Sequence, residues 1–289
     1  MSKIRAGIVG WPVSHSLSPL LHDYWLKQYG IDGEYVRLPA EPVAKDAGFL
    51  GVVSHARHEG FVGLNVTVPH KEAAFKLADT RDKPAQITGA VNLLIFGNDR
   101  IEGRNTDHLG LKKSLEESLD ENALAGKTVV LLGAGGAARA AILALSEIGA
   151  AQIHILNRHQ ARAEILARAL ALSVKTRLVP GPLAAFASIA GEAALLINCT
   201  SAGMTGNEKL PIDLSPLPVA AAVCDIVYNP LETALLKDAA ARGHQAIDGL
   251  GMLMQQAAPS FEIFFGVKPE VTPELRAVLE ERLKARHES

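Results

Sequence analysis

Lys71 stands where a lysine is electrostatically awkward. It falls in the first turn of an expected helix, Pro69–Ala78, where the helix dipole disfavours a cation by about 0.3–1 kcal/mol. Such a placement implies a partner, and Asp107, near the start of a later expected helix (Asp107–Leu119), is the obvious acid. An ammonium can donate a proton to an oxygen that gains negative charge, and its neutral form can accept one in the reverse direction. Asp107 is equally suited to cap its own helix, and the two readings are compatible. Other loops of this half are dense in hydroxyls and amides: Ser14-His15-Ser16-Leu17-Ser18, Asn65-Val66-Thr67, Gly89-Ala90-Val91-Asn92 and Asn105-Thr106. For Ser18 an N-cap, and for Asn92 a strand-end polar residue, is the ordinary alternative.

A second constellation begins at Gly133-Ala134-Gly135-Gly136-Ala137-Ala138, between a strand-like run and an Ala-rich helix. It fits G-x-G-x-x-G/A. Gly133 permits the tight turn, and Gly135 lets the backbone approach a pyrophosphate without a Cβ in the way. The helix start offers free N–H groups to the anion. A closely packed βα turn without ligand would look similar, but the strand–loop–helix–strand setting favours a dinucleotide. An NAD site places an acid about 20 residues on, against the ribose 2′-OH. Here Asn157-Arg158 end the second strand, Arg162 follows one turn later, and no acid is present. Guanidinium groups suit a 2′-phosphate, so the sequence favours NADP over NAD. Solvated charges at a helix start are the alternative for both arginines. His159 could add a contact if protonated.

The elements that must position these groups alternate between strand and helix along the chain. In the first half the strands are Ile4–Val9, Glu34–Leu38 and Val62–Val66, with a hairpin of Val91–Phe96 and Arg100–Glu102. Helices are expected at Pro19–Tyr29, Val43–Ala56 and Pro69–Ala78. In the second half, strands at Thr128–Leu132, Ile153–Leu156, Thr176–Val179, Leu195–Asn198, Ala222–Val227 and Gln245–Ile247 alternate with helices such as Ala137–Glu147, Arg162–Leu172 and Leu231–Arg242. Such alternation predicts an α/β protein with a doubly wound parallel sheet covered on both faces. Polar loops at Asn198–Met204, Tyr228–Pro230 and Asp248-Gly249 follow three of these strands, at the sheet edge where α/β folds hold ligands. An amphipathic helix is expected over Thr272–Arg286.

Composition bounds the rest. At roughly 150 residues per domain, 289 residues suggest two domains. Their boundary is placed near Asp107. The 29 Lys+Arg against 31 Asp+Glu leave a formal charge of −2, which gives no support for nucleic-acid binding through bulk positive charge. Cys199 and Cys224, the only cysteines, both lie in apolar runs and read as reduced core residues of a cytoplasmic protein. The longest charge-free run, Ala6–His22, has 17 residues and contains two prolines. A membrane span needs about 20 mostly apolar residues, and no signal-peptide pattern is expected at the start.

Taken together, the motifs resemble those of the shikimate dehydrogenase family. The blocks are Gly10-x-Pro12-Val13-x-x-Ser16-x-Ser18-Pro19-x-x-His22, Asn65-Val66-Thr67-Val68-Pro69-His70-Lys71, Gly89-Ala90-Val91-Asn92 and Gly103-x-Asn105-Thr106-Asp107. The glycine loop, Asn157-Arg158, Asn198-x-Thr200-Ser201-x-Gly203-Met204 and Asp248-Gly249-x-x-Met252-Leu253-x-x-Gln256-Ala257 complete the series. The resemblance implies a Rossmann-like domain over 107–248 and a smaller α/β substrate domain over 1–106, completed by helices from 249–289, with an active-site cleft between them. It implies NADPH-dependent reduction of 3-dehydroshikimate to shikimate in aromatic amino-acid (chorismate) biosynthesis, without a metal, by a monomer or homodimer. Lys71 and Asp107 correspond to the catalytic pair. Ser16, Ser18 and Tyr228 would hold the substrate carboxylate, and Thr67, Asn92, Asp107 and Gln256 the ring hydroxyls. The cofactor would lie on Gly133, Ala134, Gly135, Gly136, Ala137, Asn157, Arg158, His159, Arg162, Thr200, Ile226 and Gly249. Two departures from the family pattern are His159, where Thr is frequent in NADP-preferring members, and His108, where Gly is common.

Rival readings share parts of this pattern. A quinate/shikimate dehydrogenase using NAD would carry an acid at the end of the second strand. A non-catalytic NADP-binding regulator on the same scaffold would have no need of both Lys71 and Asp107. A zinc site is the weakest rival: His55-x-x-His58 has no third ligand nearby.

Overall fold

The computed structural model describes residues 3–42 and 48–286. It divides into two compact units, Met1–Thr106 with Leu253–Arg282, and Asp107–Met252 with Leu283–Ser289.

The first unit is built on a mixed sheet. Its elements are β1 (Ile4–Gly10), α1 (Ser18–Gln28), β2 (Gly33–Pro39), α2 (Phe49–His58), β3 (Gly63–Val66), α3 (Lys71–Leu77), β4 (Thr80–Arg81), α4 (Lys83–Thr88), β5 (Leu93–Phe96) and β6 (Ile101–Arg104). The strand order is β2-β1-β3-β5-β6-β4. β1 runs parallel to β2 and β3, whereas β5 is antiparallel to both β3 and β6. The carboxyl ends of β1 and β3 therefore lie at the same sheet edge as the start of β5 and the end of β6. Val9, Leu64 and Leu94, from three of these strands, pack with Phe49 and Val53 of α2 in one buried cluster. The first residues of the expected helix Val43–Ala56, 43–47, lie outside the described residues.

Two short elements, β4 and α4, have no counterpart in the sequence reading. Six residues carry too little periodicity to announce α4, but its ends are well specified. Asp82 Oδ1 accepts the Ala85 N–H at 2.8 Å, a proline stands in the first turn, and Gly89 closes the helix at φ +63°. In the hairpin, β5 starts only at Leu93 and ends at Phe96 as expected, while β6 runs on to Arg104, because the register pairs Leu93 with Arg104 and Phe96 with Ile101.

The second unit is a fully parallel sheet. Its elements are α5 (Asp107–Ser118), β7 (Thr128–Leu132), α6 (Gly136–Ile148), β8 (Gln152–Asn157), α7 (Gln160–Leu170), β9 (Arg177–Pro182), α8 (Phe186–Ile189), β10 (Ala193–Asn198), β11 (Ala222–Asp225), α9 (Ala234–Ala241) and β12 (Ala246–Ile247). The strand order β12-β11-β10-β7-β8-β9 is the doubly wound Rossmann order, with its reversal between β7 and β10. Val129, Val130, Leu131 and Leu132 are all fully buried, as a strand covered on both faces must be.

Two helices close the chain, α10 (Gly249–Phe265) and α11 (Pro273–Ala285). Phe261, Phe264 and Phe265 of α10 surround His22, with ring centroids 5.7–6.4 Å away. The Trp25 indole N–H donates to Glu270 O at 2.9 Å. A Cβ on Gly63 would stand 2.6 Å from the Phe264 ring, so only glycine lets that ring lie on β3.

Candidate active site

In the first unit the candidate substrate groups gather at one edge of the sheet. The loop after β1 carries Ser16, whose Oγ accepts the Ser18 N–H at 3.2 Å. Ser18 is itself the first residue of α1, and the residue before the helix, Leu17, makes no side-chain cap. The N-cap reading of Ser18 therefore gives way to capping by Ser16. Arg37 donates to Ser16 O at 2.6 Å. Thr67 follows β3, and a Cβ on Gly10 would lie 2.3 Å from its Cγ2, so the two loops are in contact. Lys71 opens α3, and its carbonyl accepts the Val91 N–H at 3.0 Å, which ties the helix start to the residue before Asn92.

Asn92 is 2% exposed. Its Nδ2 donates to Thr106 Oγ1 at 2.9 Å and Gln256 Oε1 at 3.3 Å, while its Oδ1 accepts the Thr106 N–H at 2.8 Å. Thr106 Oγ1 also donates to Gln256 O. Behind it, Asn65 accepts from Tyr35 OH at 2.8 Å and donates to Ser260 Oγ at 2.8 Å and Asn92 O at 3.2 Å. Asn65, Tyr35, Thr106 and Ser260 had no assigned role in the sequence reading. Asn65 and Thr106 stand inside its motifs, but a strand-end amide does not reveal that its partners lie 27 and 195 residues away. Burial raises the Tyr35 phenol well above its ordinary range.

In the second unit the glycine loop joins β7 to α6. Gly133 sits at φ +111°, and a Cβ there would meet Thr200 Cγ2 at 3.0 Å and Cys199 O at 3.1 Å. Gly135 is different: φ is −99°, and a Cβ would find no protein atom within 4 Å. Gly136 is also open. The first N–H groups of α6 have no intrahelical acceptor by the geometry of a helix start. An open backbone turn feeding a helix N-terminus fits a pyrophosphate. Ala134 lies in the turn, and Ala137 is the second residue of α6.

At the end of β8, Asn157 Nδ2 donates to His159 O at 2.9 Å and shapes the turn into α7. Arg158, His159 and Arg162 are exposed there, and neither arginine forms an ion pair among the described residues. Thr200 follows β10 and packs on Gly133. Ile226 follows β11, and its carbonyl would stand 2.2 Å from a Cβ on Gly249. Cys199 and Cys224 are free and buried, and burial raises both thiols. Asp107, the first residue of α5, is 5% exposed, and Tyr228 is half-buried. Among the described residues no group of three or more His, Cys, Asp or Glu is placed to hold a metal ion. An open pocket of about 420 Å³ at the end of α5, lined by residues such as Leu119, Asp120 and Ile148, contains none of these groups.

Three family models match in series: the shikimate dehydrogenase substrate binding domain over residues 8–94, shikimate / quinate 5-dehydrogenase over 114–209, and the shikimate 5'-dehydrogenase C-terminal domain over 249–279. Shikimate dehydrogenase (NADP(+)) of Methylobacterium radiotolerans is 51% identical over 275 residues, 94% of this chain and 95% of that protein.

The chain belongs to the shikimate dehydrogenase family.

Solved structures within reach of this shikimate dehydrogenase family member include shikimate 5-dehydrogenase from Thermus thermophilus in complex with NADP(H) and shikimate. That chain is 34% identical, with a TM-score of 0.81 and coverage of 98% of this chain and 99% of its own. Quinate dehydrogenase from Corynebacterium glutamicum in complex with NAD aligns at 29% identity, with a TM-score of 0.86 over 96% and 99%. The backbone is thus shared by family members that differ in substrate and cofactor, and side chains at the sheet edges must separate them.

Proposed function

We infer that this chain is an NADP-dependent shikimate dehydrogenase, which catalyses the reversible reduction of 3-dehydroshikimate to shikimate in chorismate biosynthesis. The near-full-length identity to the Methylobacterium radiotolerans NADP(+) enzyme carries the reading. The exposed Arg158 and Arg162 at the end of β8, with no acid beside them in sequence, support NADP over NAD.

We assign Ser16, Ser18 and Tyr228 to the substrate carboxylate, and Thr67, Asn92, Asp107 and Gln256 to the ring hydroxyls. NADPH, when bound, supplies the hydride. Gly133–Ala137 would receive its pyrophosphate, and Asn157, Arg158, His159 and Arg162 its adenosine phosphate. Thr200, Ile226 and Gly249 would line the nicotinamide. As hydride reaches C3 of the substrate, its oxygen gains negative charge, and the Lys71 ammonium donates a proton to it. Asp107 orients Lys71 and the neighbouring substrate hydroxyl. The hydroxyls at Ser16 and Ser18 bind the carboxylate without a bidentate cation, so binding rests on hydrogen bonds of modest strength. Two buried, free cysteines support a reducing cytoplasmic location, and the reading is that of a monomer or homodimer acting on a small molecule.

The test is the absorbance of reduced nicotinamide, with shikimate or quinate and NADP or NAD in all four pairings. Fast reduction with shikimate and NADP alone is expected. Faster turnover with quinate or NAD would move the protein to the sister activity. Tight NADP binding with no turnover would mark a regulator.

A further inference from the structure

Asp225, the last residue of β11, is 0% exposed, and so are its partners Asn198 and Thr233. Its Oδ1 accepts from Asn198 Nδ2 at 2.8 Å and from the Val227 N–H at 3.1 Å. Its Oδ2 accepts from Thr233 Oγ1 at 2.7 Å. Asn198, paired opposite Asp225 in the sheet, passes the constraint on. Its Oδ1 accepts the Thr200 N–H at 3.0 Å and the Thr200 hydroxyl at 2.7 Å, and its Nδ2 also reaches Ala202 O at 3.2 Å. Thr200 Oγ1 then accepts the Ala202 N–H at 3.1 Å. One carboxylate thus holds the loop after β10 and the loop after β11.

A buried carboxylate is an expensive way to pack a sheet end, because a well-packed apolar residue often does as well or better for stability. What an apolar residue cannot do is accept from three donors on two separate loops. Those loops are not free to drift. Thr200 lies against Gly133, and Ile226 lies against Gly249, with no room for a Cβ at either glycine.

We propose that Asp225 is a positioning residue for the nicotinamide cofactor, acting through Asn198 and Thr233 to set Thr200 and Ile226. The proposal rests on the reading above that these loops receive NADP. Asp225→Asn is nearly isosteric, but its amide turns one acceptor edge into a donor edge, so one of the three bonds is lost. Thr233→Val removes the donor to Oδ2, and Thr233→Ser keeps it.

The experiment measures NADPH dissociation by fluorescence, KM for NADP and for shikimate, kcat, and the thermal midpoint, on the full chain. Wild type that binds NADPH and turns over establishes the underlying reading. Wild type that does not bind overturns that reading, and this proposal with it, before any variant is compared. With wild type active, Asp225→Asn should weaken NADPH and raise its KM by about tenfold or more, the loss of one charged hydrogen bond, with shikimate KM within about twofold. Thr233→Val should move the same constants, and Thr233→Ser should restore them. A folded Asp225→Asn protein with wild-type cofactor constants overturns the proposal, as does one in which both KM values rise together. If Asp225→Asn does not fold, the Thr233 pair decides: equal, wild-type cofactor constants in Val and Ser variants overturn it.

Discussion

Lys71 begins a helix of seven residues with Glu72 beside it and no side-chain cap before it, a position that makes it conspicuous in the sequence. As the proposed proton donor, Lys71→Met should lower kcat by about 10²–10⁴-fold, the range of general acid–base catalysis. The shikimate KM should change far less, as steady-state kinetics at saturating NADPH would reveal. Near-normal turnover would remove Lys71 from the mechanism. Arg158 and Arg162 were legible in the same way, as cations where an NAD site needs an acid. The double change Arg158→Gln with Arg162→Gln should raise the NADP KM by about a hundredfold or more and leave NAD little affected, since each charged hydrogen bond is worth about 1.5–3 kcal/mol, tenfold or more apiece. Paired kinetics with the two cofactors measure this, and an equal loss with both would deny the arginines a phosphate role. Residues whose partners are far along the chain were not legible. Asn65 and Asp225 sit in ordinary strand-end positions, and only the folded chain brings Ser260 to one and Asn198 to the other.

At the level of elements, the turn from β7 to α6 separates two kinds of glycine. Gly133 is required by the protein itself, through its positive φ and its contact with Thr200 and Cys199. Gly135 has an ordinary φ and open space where a Cβ would be, so nothing in the fold demands it. Gly133→Ala should therefore destabilise the protein by about 1–3 kcal/mol, the cost of strained backbone. Gly135→Ala should leave stability within about 1 kcal/mol, yet weaken NADPH binding by about tenfold or more if pyrophosphate needs that space. Thermal unfolding and NADPH titration of both variants check this, and normal NADPH affinity in Gly135→Ala would count against the turn as the pyrophosphate site. The parallel sheet was readable because each buried strand is a short apolar run followed by helix, and the handedness of βαβ crossovers leaves few ways to order them. The first unit was harder. Its β4 spans Thr80–Arg81 and its α4 Lys83–Thr88, lengths at which hydrophobic periodicity carries no signal, so the only marks of α4 are the Asp82 cap, the proline in its first turn and the Gly89 stop.

On the scale of the molecule, the first unit is completed by a distant stretch of chain, and its acid stability depends on that completion. His22 is 0% exposed, stacked on Tyr35 at 3.8 Å and surrounded by Trp25 and the phenylalanines of α10. Neither ring nitrogen has a hydrogen-bond partner among the described residues. Burial drives its pKa down from 6.5 to about 3, because the imidazolium would have neither water nor a partner. The unfolded chain takes up this proton as pH falls through about 6.5, whereas the folded chain refuses it until about 3. The unfolded state then binds more protons, so stability is full above pH 6.5 and drains away as pH falls towards 3. At pH 4 the loss from this one group is about 3 kcal/mol, at 1.36 kcal/mol per pH unit. His22→Phe keeps an aromatic ring in the stack and removes the titration. Its stability at pH 7 relative to wild type reports packing alone and can lie on either side of zero. Between pH 7 and pH 4 that difference should shift by about 3 kcal/mol in favour of the variant, because the carboxylates that also titrate there are common to both proteins and cancel. Urea unfolding at several pH values, followed by fluorescence of Trp25 and its neighbours, measures the shift. Parallel stability curves for the two proteins would mean that His22 finds a proton partner in the folded state.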